Sequence, residues 1–326
     1  MKKKLLQLFS VVVFAAAAWI LHHELRTYHY HDIVRQLRNI PLLQMLAALL
    51  AAVLGYLALT GYDVLGVRYA GQKLRYSQIA FISLIGYAFS HNTGNPIISG
   101  ALRYRLYSAL GLSAMEVAQV IGCCFVTFWL GFLALSSVIF LTQPLTLPAA
   151  LPLPFTSVRF VGVICLSLLG IYLVGTLLRK QRLQIGKWEL ALPSWQFAVG
   201  QLAVSCLDWS LVSSVIYLLL PTTARLTYPK FLGIFLLCHI LGLSSQVPAG
   251  LGVFEALMIE FLKPMLAADV VLGSVLVYRV FYYVLPLLLA LVFLALAELK
   301  QPDGVLKYAL LPLVNGLRWL SRRGSP

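Results

Sequence analysis

The sequence predicts an all-α, polytopic membrane protein, and three observations favour this fold class. Of the 326 residues, 60% are hydrophobic and only 11% are charged, and the mean hydropathy is +0.88. Soluble domains carry roughly 25% charged residues. Apolar runs of about 20 residues, the length that spans a bilayer, recur along the chain. Because backbone groups in hydrocarbon must find hydrogen-bond partners within the segment, helices are the expected spanning element.

Apolar stretches follow one another with short polar connections. They lie at about residues 5–21, 41–66, 77–107, 114–141, 158–178, 196–219, 229–264 and 268–299. Two of them, 77–107 and 229–264, are interrupted by polar residues, glycine and proline. We predict about six full spans, and a re-entrant helical hairpin at each interrupted stretch.

The distribution of positive charge favours hairpins over single crossings, since cytoplasmic loops collect Lys and Arg. Two hairpins put seventeen basic residues inside and seven outside, whereas single crossings give fourteen and ten. The arms of the first hairpin, 77–91 and 97–107, reach only about 22 and 16 Å, which is short of the ~30 Å hydrocarbon core. We therefore expect both termini to be cytoplasmic.

This topology divides the chain into two half-repeats of opposite orientation. Residues 1–141 contain the hairpin 77–107, residues 158–299 contain the hairpin 229–264, and residues 300–326 form a basic cytoplasmic tail. Inverted repeats with broken helices are a common transporter construction, and the breaks lie at the binding site.

A faint internal echo supports the repeat. When Pro96 is superimposed on Pro248, Gly100 meets Gly252 and Arg103 meets Glu255. Upstream of the prolines, the run GYDVL (61–65) resembles CLDWSL (206–211), which places Asp63 opposite Asp208. The shared order of proline, glycine and charge indicates two related halves.

Pro96, Gly100 and Pro248 are the predicted helix breaks. Proline removes a backbone donor, and glycine frees the dihedral angles. A half-helix that begins at such a break points free N–H groups and a positive dipole end at its surroundings, which suits an anion such as a phosphodiester. The alternative is a structural kink within a single span.

The predicted substrate site gathers polar, charged and glycine residues near the breaks: Asn92, Asn95, Arg103, Gln246, Gly250, Gly252, Glu255, Arg279 and Tyr282. An unpaired charge in a bilayer costs at least ~2.5–3.5 kcal/mol. We expect Glu255 to pair with Arg103 or with Arg279. A purely structural ion pair between the hairpins is the alternative.

Other classes of function find little support. The net charge of +14 comes from basic residues in short loops, which membrane topology and anionic lipids explain better than nucleic acid does. The five cysteines lie in apolar runs, and the histidines of residues 22–32 have mixed spacing, so no metal or other cofactor is expected. No catalytic motif is present, so no enzymatic activity is expected.

Three runs resemble a known family: ISGALRYRLYSALGLS (98–113), VPAGLGVFEALM (247–258) and VYRVFYYVLPLLLALV (277–292). They are similar to the lysylphosphatidylglycerol synthase/flippase transmembrane-domain family, and most of all to its stand-alone YbhN-type branch. The resemblance implies a bacterial inner-membrane protein that moves aminoacylated or other phospholipids between leaflets. Larger members continue into a soluble aminoacyl-transfer domain that this sequence lacks, so synthase activity is not expected.

The expected function is therefore that of a phospholipid translocase, or flippase-like lipid transporter, for an anionic or aminoacylated headgroup. Two alternatives stay open: a membrane-embedded lipid-modifying enzyme, and a non-transporting scaffold partner of a phospholipid synthase. A homodimer and a complex with such a synthase stay open as assemblies.

Overall fold

The computed structural model describes the chain from residue 40 to residue 300 with short gaps. The described residues are 40–94, 96–143, 145, 147, 157–178, 183–185, 188–190, 193–223, 225–245, 247 and 250–300. The predicted first span at 5–21, the histidine-rich residues 22–32 and the basic tail after residue 300 lie outside them.

The described chain is almost entirely helical. Its helices are α1 (Leu42–Tyr69), α2 (Tyr76–Thr93), α3 (Pro96–Ala109), α4 (Ala114–Thr142), α5 (Val158–Leu177), α6 (Trp195–Leu219), α7 (Tyr228–Ser244), α8 (Val253–Leu262), α9 (Ala268–Arg279), a π-helical turn (Val280–Val284) and α10 (Leu285–Lys300). Between α5 and α6, β1 (Leu183–Ile185) and β2 (Trp188–Leu190) form a short antiparallel hairpin. This hairpin is the one departure from the all-α prediction in the described chain.

Five helical segments are long and apolar enough to cross a membrane: α1, α4, α5, α6 and the continuous run from Ala268 to Leu296. They match five of the six predicted full spans to within a few residues. In α5 much of the apolar surface is exposed, including Phe160, Ile171 and Leu177. An exposed apolar surface of that kind is unfavourable in water, so we expect it to contact lipid.

Helices α1, α4 and α6 pack closely because small residues lie where they cross. A Cβ added at Gly61 of α1 would come within 2.8 Å of Val204 of α6. A Cβ at Gly131 of α4 would come within 2.6 Å of the Ser205 backbone. Close backbone approach through small residues is typical of helix packing in membranes, where the hydrophobic effect adds little between helices.

Both interrupted segments are broken in the structure, as the sequence predicts. Helix α2 ends at Thr93, Gly94 adopts a left-handed φ of 60°, and α3 begins at Pro96. Helix α7 ends at Ser244, and α8 begins at Val253 after Gly252 with φ of 77°. The two arms of each pair contact one another.

Two details of the breaks differ from the prediction. Gly100 lies inside α3 rather than at a break, because Gly94 already supplies the left-handed turn and Pro96 starts the new helix. The first arms are also longer than predicted. With 18 and 17 residues in α2 and α7, they extend about 27 and 26 Å.

The last apolar segment is continuous but irregular, which the sequence analysis did not predict. At the π-helical turn the Leu285 N–H bonds back five residues to the Val280 carbonyl. Pro286 follows at once and has no N–H to give to the preceding turn. Carbonyl groups of this turn are therefore released for other partners.

Candidate functional site

The first buried ion pair joins α3 to α1. The Arg103 guanidinium donates to the Asp63 carboxylate, and the Tyr107 hydroxyl donates to the same oxygen at 2.9 Å. Arg103 fits because Gly86 has no side chain, since a Cβ there would lie 2.6 Å from its Nε. The expectation that Arg103 pairs with Glu255 is wrong. Asp63, on a full span rather than at a break, was not recognised as its partner.

The second buried ion pair joins α8 to α9. The Nε of Arg279 donates to the Glu255 carboxylate, and both side chains are buried. This pairing confirms the other expectation for Glu255. The two ion pairs therefore connect the second arm of each helix pair to a neighbouring span.

Glu255 also caps the helix on which it lies. Its Oε2 accepts a hydrogen bond of 2.8 Å from the Gly252 N–H, three residues back, as in a capping box. The sequence predicted free N–H groups at this end of α8, but the helix's own carboxylate already binds one of them. An outside anion must displace Glu255 to use that donor.

Gly250 and Gly252 allow the chain to turn into α8. Their φ values are 63° and 77°, in the region that side chains with a Cβ rarely adopt. A Cβ at Gly252 would meet no atom within 4 Å, so the space beside this turn is open. The predicted role of these two glycines in binding substrate stays a prediction.

The π-helical turn is fastened to α1 and α2 through its own carbonyl groups. The Tyr56 hydroxyl donates to the Tyr282 carbonyl at 3.0 Å. The Asn92 side-chain amide donates to the Tyr283 carbonyl at 3.1 Å and to the Ala88 carbonyl at 2.7 Å. Asn92 therefore ties the end of α2 to the last span, a role different from the predicted headgroup contact.

A row of aromatic rings connects the two ion pairs. The Arg103 guanidinium lies 4.4 Å from the Tyr87 ring centre, and Tyr87 lies 6.0 Å from His91. His91 stacks on Tyr282 at 5.4 Å. At the far end Arg279 lies 5.0 Å from the Tyr283 ring. We call Tyr87, His91, Tyr282 and Tyr283 the aromatic bridge.

One further buried acid, Asp208 of α6, faces α1. Its Oδ2 accepts a hydrogen bond of 2.8 Å from the Tyr62 hydroxyl. The echo between residues 61–65 and 206–211 places Asp63 and Asp208 in corresponding positions of the two halves. Their surroundings differ, because Asp63 binds an arginine and Asp208 binds a phenol.

The structure brings together four of the nine predicted substrate residues. Asn92, Glu255, Arg279 and Tyr282 all lie on or against the segment from Tyr278 to Tyr283, and Arg103 adjoins them through the aromatic bridge. Gly250 and Gly252 form the second break. Asn95, Gln246 and Pro248 lie outside the described residues, as does the side chain of Pro96.

Sequence reasoning missed Tyr56, His91 and Pro286. His91 was noted only as part of the polar break, and Tyr56 lies in an ordinary apolar run. Pro286 carried the clearest signal, because a proline inside a helical pattern frees a carbonyl group one turn earlier.

The chain has close relatives over most of its length. No family model matches the sequence. A protein of the cyanobacterium Synechocystis sp. is 37% identical over 290 residues, 89% of this chain and 90% of the relative. The Escherichia coli inner membrane protein YbhN is 33% identical over 271 residues, 82% of this chain and 85% of that protein.

A more distant similarity extends to a longer protein. Phosphatidylglycerol lysyltransferase of Staphylococcus aureus is 22% identical over 291 residues, which are 87% of this chain but 33% of that protein. The nearer similarities, which cover four fifths or more of both chains, decide the assignment: this multi-pass membrane protein belongs to the same family as the inner membrane protein YbhN.

Proposed function

We propose that the protein is a phospholipid translocase of the bacterial inner membrane, with its headgroup site at the two broken helices. The observation that carries this proposal is that both broken helices lie against one irregular segment, residues 278–283, of a third. Broken helices that meet at a common point are how many transporters form their substrate sites.

The substrate class follows from the distant relative. The lysyltransferase is named for phosphatidylglycerol, and the similar part is a third of its length. A membrane unit shared between that protein and this chain is expected to handle a related phospholipid. The headgroup is therefore anionic, or aminoacylated.

The topology of this proposal is an inverted repeat. Helices α2 and α3, and likewise α7 and α8, form re-entrant hairpins that enter from opposite faces, with six full spans around them. Both termini then face the cytoplasm. The opposing entry of the hairpins gives access to one site from either leaflet in turn.

Glu255 would act as the resting occupant of the anion site. Its carboxylate binds the Gly252 N–H and the Arg279 guanidinium, which are the donors that a phosphodiester needs. A lipid phosphate that takes these donors releases Glu255 and loosens α8 from α9. Binding of the headgroup would thus unlock the second hairpin.

The exposed polar residues of the second break would guide the headgroup to this point. Ser244 and Ser245 are exposed at the end of α7, where the second break begins, and the predicted Gln246 follows them in the chain. On the other hairpin, Asn95 holds the corresponding place next to Pro96. We assign these side chains to contacts with the polar part of the headgroup.

Substitution of Gly252 tests the site. Gly252→Leu places a bulky side chain in the open space at the start of α8. We expect it to reduce the movement of fluorescent phosphatidylglycerol by at least tenfold. The measurement uses reconstituted vesicles and an impermeant quencher added outside, which reports the lipid that reaches the outer leaflet.

Gly71→Leu is the matched control. Gly71 has φ of 74°, its Cβ position meets nothing within 4 Å, and it lies in the connection between α1 and α2. The two variants carry similar backbone strain of about 1–2 kcal/mol, so only the location differs. Equal transport by wild type, Gly71→Leu and folded Gly252→Leu would contradict the site.

Mass spectrometry of the same vesicles separates transport from chemistry. We propose that the lipid crosses the bilayer chemically unchanged. A new lipid product made by the purified protein would instead support a membrane-embedded enzyme. Normal biological activity in cells from a variant that moves no lipid in vesicles would support a scaffold.

A further inference from the structure

The described helix bundle buries two arginines but three acidic residues, so one acid has no counter-charge. Arg103 binds Asp63, and Arg279 binds Glu255. Asp208 is 4% exposed and has no ion pair with any basic residue of the described chain. An ionised carboxylate without a counter-charge is among the most costly groups to bury. Asp208 thus differs from the two acids that bind arginine.

The hydrogen bonding of Asp208 is incomplete. Tyr62 donates to Oδ2, and the Tyr282 hydroxyl lies within hydrogen-bonding range of the carboxyl. Within the described ranges Oδ1 is buried and meets no donor at full hydrogen-bond geometry. Asp63 also has one such oxygen, but its carboxylate has an arginine as counter-charge. A buried carboxylate normally has all its oxygens satisfied. A proton on Oδ1 removes the charge and converts this unsatisfied acceptor into a hydroxyl group.

Phenols are the titratable groups that face this carboxyl. Tyr62 of α1 and Tyr282 of the π-helical turn lie within hydrogen-bonding range of it, and Tyr56 of α1 lies beside Tyr282. The other helices packed against α6 bring titratable groups that contact Gln201, Trp209 or Glu255 instead: Cys123 of α4, Tyr172 of α5, His239 of α7 and Arg279 of α9.

One of these phenols also lies in the candidate site. Tyr282 is within hydrogen-bonding range of the Asp208 carboxyl, and its ring stacks on His91 at 5.4 Å. His91 lies at the end of α2, beside the first break. A single side chain therefore separates Asp208 from the candidate site.

We propose that Asp208 is a proton-binding site. The carboxylate takes a proton on Oδ1, becomes a neutral acid, and releases the proton as the protein changes state. A metal cation fits less well, because a hard cation needs several oxygen ligands, whereas the neighbour bound to this carboxyl is the Tyr62 hydroxyl, which donates its hydrogen to it.

Infrared spectroscopy tests the site without any lipid assay. Purified full-length protein in nanodiscs is measured in acidic and alkaline buffer, and the carbonyl stretch of protonated carboxylic acids is followed. We expect one such band in the wild-type difference spectrum to disappear in Asp208→Asn. Glu260→Gln should keep it, because Glu260 is a partly exposed acid that already pairs with Lys263.

A second variant decides the outcome if Asp208→Asn does not fold. Tyr62→Phe removes the hydrogen bond to Oδ2, so it should shift the same band to higher frequency, because hydrogen bonding lowers a carbonyl stretch. The proposal is overturned if the Asp208→Asn spectrum equals that of the wild type, or if Tyr62→Phe leaves every carboxyl band in place.

Lipid movement gives an independent arm that rests on the proposed function. If the proton drives transport, the wild-type rate depends on a pH gradient across the vesicle membrane, and Asp208→Asn loses that dependence. A gradient of Na⁺ that replaces the pH gradient would overturn the proton assignment. Absence of lipid movement in the wild type would contradict the translocase. The infrared spectra alone would then decide whether Asp208 binds a proton.

Discussion

At the scale of single residues, the buried charges explain why a membrane protein tolerates polar groups at its centre. Arg103 and Arg279 each bind a carboxylate that also accepts a second hydrogen bond, from Tyr107 and from the Gly252 N–H respectively. A buried ion pair is stable only when its remaining hydrogen-bonding groups are satisfied as well. Glu255 meets that requirement through its second oxygen, which binds the Gly252 N–H. Arg103 and Tyr107 share one oxygen of Asp63, and the other is buried without a hydrogen-bond partner in the described chain.

Mutation can test whether Arg103 pairs with Asp63, as in the structure, or with Glu255, as the sequence suggested. Asp63→Asn leaves a buried guanidinium unpaired, which costs about 3–5 kcal/mol. We expect the melting temperature in detergent to fall strongly and the double variant Asp63→Asn/Arg103→Gln to recover part of the loss. Coupling between residues in contact is about 0.5–3 kcal/mol.

The same experiment with the rejected partner serves as its control. Glu255→Gln combined with Arg103→Gln should be additive to within about 0.5 kcal/mol, as for residues without shared contacts. Strong coupling between Arg103 and Glu255, together with none between Arg103 and Asp63, would show that Arg103 pairs with Glu255 instead.

At the scale of helices, the π-helical turn is the element that joins the first broken helix to the last span. Its carbonyl groups accept hydrogen bonds from Tyr56 and Asn92. In a regular α-helix these carbonyl groups would accept hydrogen bonds from N–H groups of the same helix. Such turns occur often at functional sites. Here the turn binds the first broken helix, while the second contacts Tyr278 and Arg279, the residues just before the turn.

Pro286→Ala tests this role. The variant restores a backbone N–H and removes a proline from the helix interior, where proline costs about 3 kcal/mol of stability. We expect thermal stability to be kept or raised, while lipid movement falls roughly tenfold, because hydrogen bonds worth about 1 kcal/mol each are lost to α1 and α2.

Pro221→Ala is the control for that variant, since Pro221 is exposed and follows the end of α6 rather than lying within a helix. Lower stability and unchanged transport in Pro286→Ala would show that the turn is a structural irregularity without functional effect.

At the scale of the whole molecule, the proposed hairpins place two loops on opposite faces of the membrane. Ala109 lies at the end of α3 and Thr222 follows α6, and both are exposed. In a background free of native cysteines, Ala109→Cys should react only from the cytoplasmic side and Thr222→Cys only from outside. Single crossings reverse both results, so impermeant maleimide labelling of intact cells decides between the two topologies.

Much of the fold could be predicted from the chain alone. Five spans and both helix interruptions follow from hydropathy, proline and glycine, because these are local properties of the backbone and its solvent. The cost of burying a charge predicted a partner for Glu255, either Arg103 or Arg279, and the structure selects Arg279. The short hairpin of β1 and β2 was not, since six residues in a polar connection give no periodicity to read.

The sequence by itself determined that this chain is a helical membrane protein with two broken helices, because apolar runs of span length predict helices and the proline and glycine within two of these runs predict interruptions. Only the tertiary structure decided the partners. Arg103 could bind any acid within reach, and packing at Gly86 directs it to Asp63. Asp208 could have taken an arginine, but both buried arginines bind other acids. Such choices depend on which helices touch, and contacts between residues far apart in the chain leave no local pattern.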